Sequence, residues 1–547
     1  MDFDLVVTNG TVVDGTGQPG FRADLGIQDG RIVAVIGGPG LSGEETLDAS
    51  GLVVAPGFID IHSHLDWDLC HPAHDQIQAP IVLQGITTAV TGNCGVTPAP
   101  VTGHSATVLE SRLAGRSDVA SCEWRSLNDF LDILEQDGVL LNAAALVGHS
   151  TLRYGVMGKR AEGDDATPEE IEAMCDLARE AMREGAFGLS TGLGYSPGRY
   201  ASTQELLRVL QSTAEEGGLH ASHLRSYRNV SPAYCPMILG EPHNVLAVRE
   251  QLELARRTGV RLQLAHLVFH GRQTWPTYPI VLDDIERAAD EGVDVAFDSY
   301  AHTFGNTTIK VNFPNWFLTD FENNIDNPRV LEQVRREISF MFDSLGRGYQ
   351  DILLMRAGVP ELAEFEGLDF ATIGHQLDMS QFEAYAHVAR VSEGTAYIRQ
   401  YTYSGEADGE DEEPLRAVIS HRLCAFNTDA SVPPLGRGQI NPAAYGTFPR
   451  LLGRYSRDLG LFSLEEVIRR MTSFAAEHIG LADMGRIAPG YWGDLVLFDP
   501  ETVDDQTTLE RPDASPTGIE AVLISGHLVA QNGKIVSDKR WGRVLRQ

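Results

Sequence analysis

The sequence predicts an α/β protein, a (β/α)8 TIM barrel with a small β-sandwich built from both ends of the chain. Strand-like segments with tight turns occupy the two ends of the chain. Between them, eight short apolar segments alternate with helical patterns. The length of 547 residues is ample for two domains.

The two ends of the chain carry hairpin signals. Alternating apolar runs flank Asn9-Gly10 and Asp29-Gly30 near the start, and Asn532-Gly533 near the end. These dipeptides favour the tight turns that join antiparallel strands. We therefore expect residues 1–58 and 481–547 to form one composite β-sandwich domain.

Residues 59–480 are predicted to form the barrel. Its strand candidates are GFIDIHSH, ITTAVTGNC, NAAALVGHS, AFGLSTG, GLHASH, VRLQLAH, VDVAFDSY and LCAFNTDA. Helical segments lie between several of them, the clearest over 168–184. Thr167 with Glu170, and Ser202 with Glu205, have the spacing of capping boxes at helix starts.

One connection is unusually long. About 120 residues, roughly 300–421, separate the seventh strand from the eighth, and such a loop usually carries function or helices of its own. Because it leaves the carboxyl end of a barrel strand, we expect a lid or pocket wall. Its acidic run, GEADGEDEEP, is expected to be a solvated tip.

The charge balance excludes some partners. Acidic residues number 76 and basic residues 43, which gives a net charge of −33. Phosphate backbones and anionic membranes both need basic surfaces, so we expect neither nucleic acid nor membrane as a partner. A small-molecule substrate remains the expected partner.

The sequence also predicts a cytoplasmic protein. The first residues, MDFDLVVTNG, lack the basic and apolar regions of a signal peptide, and no apolar run is long enough to span a membrane. Six cysteines are scattered without clustered spacing, so no disulfide framework is expected. A cysteine could then be present for its thiolate.

Side chains able to bind a metal end five of the predicted strands. They are His62, His64, Cys94, His223, His266 and Asp429. In a strand, residues two apart point to the same side, so the two imidazoles of His62-Ser63-His64 can face one ion. Each residue alone could be an ordinary core side chain. Together, at the end of a barrel where catalytic groups collect, they indicate a metal site.

Longer motifs give the chain a family resemblance. It resembles the amidohydrolase superfamily and, within it, the D-aminoacylase (N-acyl-D-amino-acid deacylase) family. The matching pieces are APGFIDIHSHLDWD, TTAVTGNCG, LVGHSTLRYGVMG, GAFGLSTGLGYSPG, SHLRS, NTDAS, GTFPR and GRIAPGYWGDLVLFDP. They span nearly the whole chain.

The resemblance implies a metal-bearing barrel and a ligand arrangement. Zinc would be held tightly by Cys94, His223 and His266. A second or weaker metal position would be formed by His62, His64 and Asp429. Many relatives in the superfamily bridge their metals with a carboxylated lysine. No lysine ends a predicted barrel strand here, and Cys94 fits that place as a ligand.

The implied reaction is hydrolysis of an amide-type C–N bond. Zinc activates water and polarises a carbonyl, with Asp429 as general acid/base. Cys94 acting as a covalent nucleophile is an alternative. A non-catalytic barrel binding protein is another, as is a ring-opening hydrolase of a cyclic amide, lactone or other activated carbonyl.

The residues that bind the α-carboxylate of the substrate in the family pattern are changed. Val268 stands in place of a lysine, Ala443 in place of an arginine, and Tyr300 or His302 in place of a tyrosine. Losing two cations removes charge-assisted hydrogen bonds, so we expect a substrate without the usual free α-carboxylate.

The alternative is an N-acyl-D-amino-acid deacylase with a relocated anchor. Arg225, Arg437 or Arg450 would then bind the carboxylate. Predicted substrate contacts are His149, Arg153, Tyr195, Arg225, Tyr300 and His302.

Overall fold

The structure is a computed structural model that describes residues 2–38, 40–71, 73–103, 105–106, 124–231, 234, 240–318, 320–432, 441–508 and 510–547. Arg437, one of the possible relocated anchors, lies outside the described residues.

Eight parallel strand positions form the barrel. They are Phe58–Asp60, Ile86–Thr91, Asn142–Ala145 continued by Val147–Gly148, Gly188–Gly192, Leu219–His223, Arg261–Leu264, Val295–Ser299 and Cys424–Phe426. Backbone hydrogen bonds from Phe187 N to Ala145 O (2.9 Å) and from Ile61 N to Phe426 O (3.3 Å) join the two runs of strands. The carboxyl ends of all eight positions therefore meet at one mouth.

Helices cover the outside of the barrel. They are His74–Val82, Leu127–Asp137, His149–Met157, Pro168–Arg183, Thr203–Glu215, His243–Thr258, Tyr278–Asp290, Glu413–Ser420, Ala443–Arg450, Leu464–Met471 and Ser473–Ile479, with a π-helix at Leu451–Asp458. Short 3-10 turns lie at Leu65–Trp67, Gly158–Glu162, Gly198–Tyr200 and Trp275–Thr277. The apolar faces of most of these helices share the main core with the strands, whereas Ser473–Ile479 packs in a separate core cluster.

The two predicted capping boxes have different outcomes. Thr167 and Glu170 form the complete reciprocal pair at the start of Pro168–Arg183. At Thr203–Glu215, Ser202 accepts a hydrogen bond from Glu205 N. The Glu205 carboxylate does not return the contact, because it turns inward to Arg153 and His149. The second box is therefore only half formed.

Both ends of the chain enter one nine-stranded sheet. Its strands are Asp2–Val12, Phe21–Gln28, Arg31–Ile36, Ser42–Asp48, Val53–Pro56, Leu495–Phe498, Ile519–Ile524, His527–Gln531 and Lys534–Ile535. Val53–Pro56 pairs antiparallel with Leu495–Phe498, which joins the two halves. The strand Val544–Leu545 does not belong to this sheet. It pairs with Ala143 and Ala144 of the barrel. The domain limits at 58 and 481 stay predictions.

The segment between the seventh and eighth strands folds around a core of its own. Its antiparallel strands are Phe304–Thr308, Ile352–Arg356 and Tyr397–Tyr401, and its helices and 3-10 turns are Ile309–Asn312, Asn315–Leu318, Phe321–Asn324, Pro328–Leu345, Tyr349–Asp351, Pro360–Phe365, Phe370–Gln376, Gln381–Val391 and Ala407–Gly409. It is tied to the barrel where Phe269 N donates to Ser404 Oγ (2.9 Å) and Ser404 N donates to Phe269 O (3.0 Å).

Within the described part of the chain, none of the helices combines the length and the apolar composition that a bilayer crossing requires.

Candidate metal centre

Three donor atoms from different strand ends converge at the barrel mouth. Cys94 Sγ lies 3.6 Å from His223 Nδ1 and 3.5 Å from His266 Nε2, and the two imidazole nitrogens are 2.9 Å apart. Cys94 follows the second strand, His223 ends the fifth and His266 follows the sixth. The predicted trio is therefore assembled from three separate elements.

The remaining predicted ligands lie beside this trio. Asp429 Oδ1 is 3.5 Å from His62 Nε2 and 3.4 Å from His64 Nε2. Cys94 Sγ is also 3.5 Å from His62 Nε2. The six predicted ligands thus form one continuous cluster. His64, Cys94 and Asp429 are half-buried, so the cluster is open on one side.

The donor spacing suits a tetrahedral zinc ion. Zn–S bonds of about 2.3 Å and Zn–N bonds of about 2.0–2.1 Å put ligand sulfur and nitrogen about 3.5–3.6 Å apart and two ligand nitrogens about 3.3 Å apart. The Cys94 distances agree with this, and the 2.9 Å between His223 and His266 is somewhat shorter. Thiolate and imidazole are also donors that zinc prefers. The residues present fit the metal.

Two buried aspartates, which the sequence reasoning missed, position the ligand histidines. Asp298 accepts a hydrogen bond from His266 N (2.7 Å), and its carboxylate lies 3.6 Å from His62 Nδ1. Asp60 accepts from His62 N (3.3 Å) and from Thr428 Oγ1 (2.6 Å). A carboxylate behind a ligand imidazole fixes its orientation. Both aspartates lie in predicted barrel strands, GFIDIHSH and AFDSY, and this position is the sequence feature that could have identified them.

Three of the donor residues have left-handed backbone conformations. Cys94 has φ 59°, His266 has φ 32° and Asp429 has φ 46°. This region costs an ordinary residue of order 1 kcal/mol or more, and such residues collect at functional sites. Tyr195 supports one of them, because its hydroxyl donates to Cys94 O at 2.6 Å.

The cluster favours a thiolate. Burial disfavours the charged sulfur, but the charge of His62 and the contacts with His223 and His266 hold the pKa of the Cys94 thiol well below its usual range. Burial also opposes charge on His266, yet Asp429 and Cys94 raise the pKa of its imidazole to about 9. The site therefore concentrates negative charge where a cation would lie.

Comparison with known proteins identifies the family. The family model described as "Amidohydrolase family" matches residues 45–530. The chain is 34% identical to D-aminoacylase from Alcaligenes xylosoxydans xylosoxydans over 543 residues, with 99% of this chain and 97% of that protein covered. The chain belongs to the amidohydrolase family.

Other relatives of this amidohydrolase carry similar names. It is 33% identical to N-acyl-D-glutamate deacylase of the same organism, with 100% of this chain and 96% of that protein covered. The structure of N-acyl-D-glutamate deacylase from Bordetella bronchiseptica, complexed with zinc and a phosphonate mimic of the reaction's tetrahedral intermediate, superposes with a TM-score of 0.80 at 31% identity, covering 100% of both chains.

These relatives settle the class. A D-aminoacylase structure concerned with a binuclear metal centre matches with a TM-score of 0.78 at 31% identity, over 100% of both chains. The predicted TIM barrel with a small β-sandwich is confirmed, and so is a metal-dependent hydrolase of carbon–nitrogen bonds other than peptide bonds. A non-catalytic barrel is not favoured.

Three predicted substrate contacts of the amidohydrolase have other partners in the structure. His149 and Arg153 are fully buried and both contact the Glu205 carboxylate. Arg225 binds Glu250 through Nε and a terminal nitrogen, at 3.0 and 2.9 Å. Their interactions with protein carboxylates account for their positions without a substrate.

Of the other predicted contacts, Tyr195 and Tyr300 interact with members of the metal-binding cluster. The ring of Tyr195 is 4.7 Å from that of His223. Tyr300 is nearly buried, and burial together with the Asp429 charge raises the pKa of its hydroxyl well above the usual value. His302 packs on Phe304 at 5.0 Å. Their roles toward substrate stay predictions.

Proposed function

We propose that the protein is a zinc-dependent amidohydrolase whose tight metal position is formed by Cys94, His223 and His266. The convergence of their three donor atoms carries the proposal. His62, His64 and Asp429 would form a second, weaker position, since Asp429 Oδ1 lies 3.5 Å from His62 Nε2 and 3.4 Å from His64 Nε2. Zinc bound there would supply Lewis-acid polarisation of the amide carbonyl and activation of water.

Asp429 is the proposed general acid/base. Burial raises its pKa, but His266, His64 and His62 outweigh this effect, so the pKa of the carboxyl lies below its usual value. Asp429 is therefore ionised near neutral pH and ready to accept a proton from the attacking water. It then delivers that proton to the leaving nitrogen. Asp429 is half-buried at the open side of the cluster, where substrate can reach it.

The proposed substrate is an amide without the usual free α-carboxylate. Val268 and Ala443 are buried apolar residues at the two positions where a cation was expected. Two of the possible replacement arginines are already paired, Arg225 with Glu250 and Arg450 with Asp505 at 3.4 Å. A free α-carboxylate would therefore lack charge-assisted contacts at these positions.

The test is a substrate panel run on the wild-type holoenzyme and on Asp429→Asn. The panel compares N-acetyl-D-amino acids with neutral amides, cyclic imides and lactones, and records kcat and KM for each. We expect turnover of an amide lacking the α-carboxylate, with kcat reduced by about 100-fold or more in Asp429→Asn.

Two results would contradict the proposal. Efficient hydrolysis of N-acetyl-D-amino acids would refute the substrate assignment, and full activity of Asp429→Asn would refute the proposed base. Metal content measured on the same samples shows whether the substitution has also removed zinc from the Cys94 position.

A further inference from the structure

Two arginines meet at one histidine close to the metal-binding cluster. Arg228 Nε lies 3.1 Å from His270 Nδ1, and a terminal nitrogen of Arg347 lies 2.5 Å from His270 Nε2. Arg347 and His270 are buried, and Arg228 is half-buried. We call Arg228, His270 and Arg347 the two-arginine cluster.

In the described part of the chain, no carboxylate pairs with the arginines of the two-arginine cluster. Among the described residues, no Asp or Glu oxygen forms an ion pair with Arg228 or Arg347, whereas Arg225, Arg272 and Arg454 all have such partners. Buried charges are normally paired, so this excess of positive charge is unusual.

Burial and mutual repulsion both act on the two-arginine cluster. They lower the pKa of the Arg347 guanidinium to about 10, although the charge of Asp351 opposes this effect. Burial and both arginines also hold the pKa of His270 well below its usual value. His270 is therefore neutral at physiological pH and does not add a third charge.

The hydrogen bonds within the two-arginine cluster are also incompatible. A neutral imidazole has one N–H donor and one acceptor nitrogen. Guanidinium groups only donate, yet one lies against each nitrogen of His270. One contact therefore brings two donors together. An oxyanion that accepted from an arginine would relieve this conflict.

Aromatic residues connect the two-arginine cluster to the metal-binding cluster. Tyr227, next to Arg228, has its ring 5.0 Å from each of the rings of His223 and His266. On the other side, the ring of Tyr403 stacks on that of His270 at 4.2 Å. The charge of Asp429 is among the causes that raise the pKa of Tyr403.

We propose that Arg228 and Arg347, with His270 between them, bind a carboxylate of the substrate that is not the usual α-carboxylate. The substrate class would then be an amide that carries its carboxylate elsewhere in the molecule, such as on the acyl group. This inference rests on the proposed function. It adds a charged recognition group to a pocket whose expected anchors at 268 and 443 are apolar.

The test measures anion binding without turnover. The melting temperature of the holoenzyme is followed against glutarate, its neutral counterpart glutaramide and inorganic phosphate, at constant ionic strength. Wild-type protein, Arg228→Gln, Arg228→Lys and Arg347→Gln are compared. Arg208→Gln is the matched control, because Arg208 is exposed and pairs with Glu172.

We expect glutarate, and not glutaramide, to raise the melting temperature of the wild type and of Arg208→Gln. Arg228→Gln should weaken glutarate binding about tenfold or more, with Arg228→Lys in between, because a charge-assisted hydrogen bond is lost. Any glutarate bound at the metal itself persists in Arg228→Gln, so the difference between proteins reports the two-arginine cluster.

Equal responses of wild type and Arg228→Gln would overturn the proposal. A response to phosphate alone would overturn the carboxylate assignment. Arg228 is half-buried, so its glutamine variant is expected to fold even if Arg347→Gln does not. Because no step requires hydrolysis, the outcome of this binding experiment is independent of the outcome of the substrate panel.

Discussion

At the scale of single residues, Cys94 combines unusual backbone geometry with a metal-binding role. It lies between two glycines of left-handed conformation, Gly92 (φ 80°) and Gly95 (φ 83°), and is itself left-handed. A Cβ on Gly92 would lie 2.3 Å from Leu146 O, so only glycine fits there. This turn places the Cys94 sulfur within 3.6 Å of three imidazole nitrogens.

Replacing this sulfur should remove the tight metal. Cys94→Ala leaves only two nitrogen donors from the trio, so we expect most of the zinc to be lost on dialysis and activity to be lost with it. Metal content per chain is the measurement. Cys175→Ala is the control, since Cys175 is buried away from the cluster and should keep its metal content. Normal zinc content in Cys94→Ala would exclude the assigned ligand.

The metal-binding residues could be predicted from the sequence, whereas the two-arginine cluster could not, because different parts of the fold bring them together. His62, His223 and Asp429 each end or follow a short apolar strand, and a closed parallel barrel brings all such ends together. Arg347 sits far along the chain from Arg228, and their meeting depends on how the inserted segment packs. No local pattern records that packing, so the two-arginine cluster was missed.

At the scale of elements, buried Glu205 links two helices. Its carboxylate contacts Arg153 and His149 of His149–Met157, while its own backbone begins Thr203–Glu215. The capping box expected at Ser202 was only half right, because a tertiary ion pair outweighs a local hydrogen bond. Local spacing could not show which partner the carboxylate would take.

Glu205→Gln should destabilise the protein in a pH-dependent way. Removing one member of a buried ion pair costs about 3–5 kcal/mol. Burial raises the pKa of Glu205, but His149 and Arg153 lower it below its usual value. A carboxyl whose pKa is lowered in the folded state stabilises the protein at pH values above its unfolded pKa of about 4.3. This contribution to the free energy of unfolding is lost as the pH falls through the pKa of the folded state.

The measurement is chemical denaturation of both proteins at pH 7 and at pH 3. The difference in the free energy of unfolding should be largest at pH 7 and shrink toward pH 3. A difference that stayed constant across this range would contradict the ion-pair explanation. Glu169→Gln, in the first turn of Pro168–Arg183 and exposed, is the control and should change little.

At the scale of the whole molecule, we expect the net charge of −33 to lower the free energy of unfolding. Like charges on one surface repel each other, and salt screens this repulsion, since the Debye length falls from about 30 Å at 0.01 M to about 10 Å at 0.1 M. We expect the melting temperature to rise between 10 and 200 mM sodium chloride, by about a few degrees. Calorimetry checks this, and a fall with salt would show that attractive ion pairs dominate.

The fold class was predictable because the strand, helix and turn patterns agree over the whole chain. Eight apolar segments with polar ends, and turns at Asp29-Gly30 and Asn532-Gly533, leave few alternatives. The turn expected at Asn9-Gly10 was wrong, because these residues form a β-bulge inside the strand Asp2–Val12. The inserted segment was less predictable. Its own core, which includes Phe317, Ile338 and Phe370, joins residues far apart in sequence. Only its length indicated that it must fold.

The pairing of Val53–Pro56 with Leu495–Phe498 also has a consequence for synthesis. A ribosome adds about 5–20 residues per second, so the early strand waits about 20–90 seconds for its later partner. During that time one edge of the first-made hairpins has no neighbour, and an open edge invites pairing with other chains. The newborn chain therefore exposes this edge to its own copies until Leu495–Phe498 has emerged.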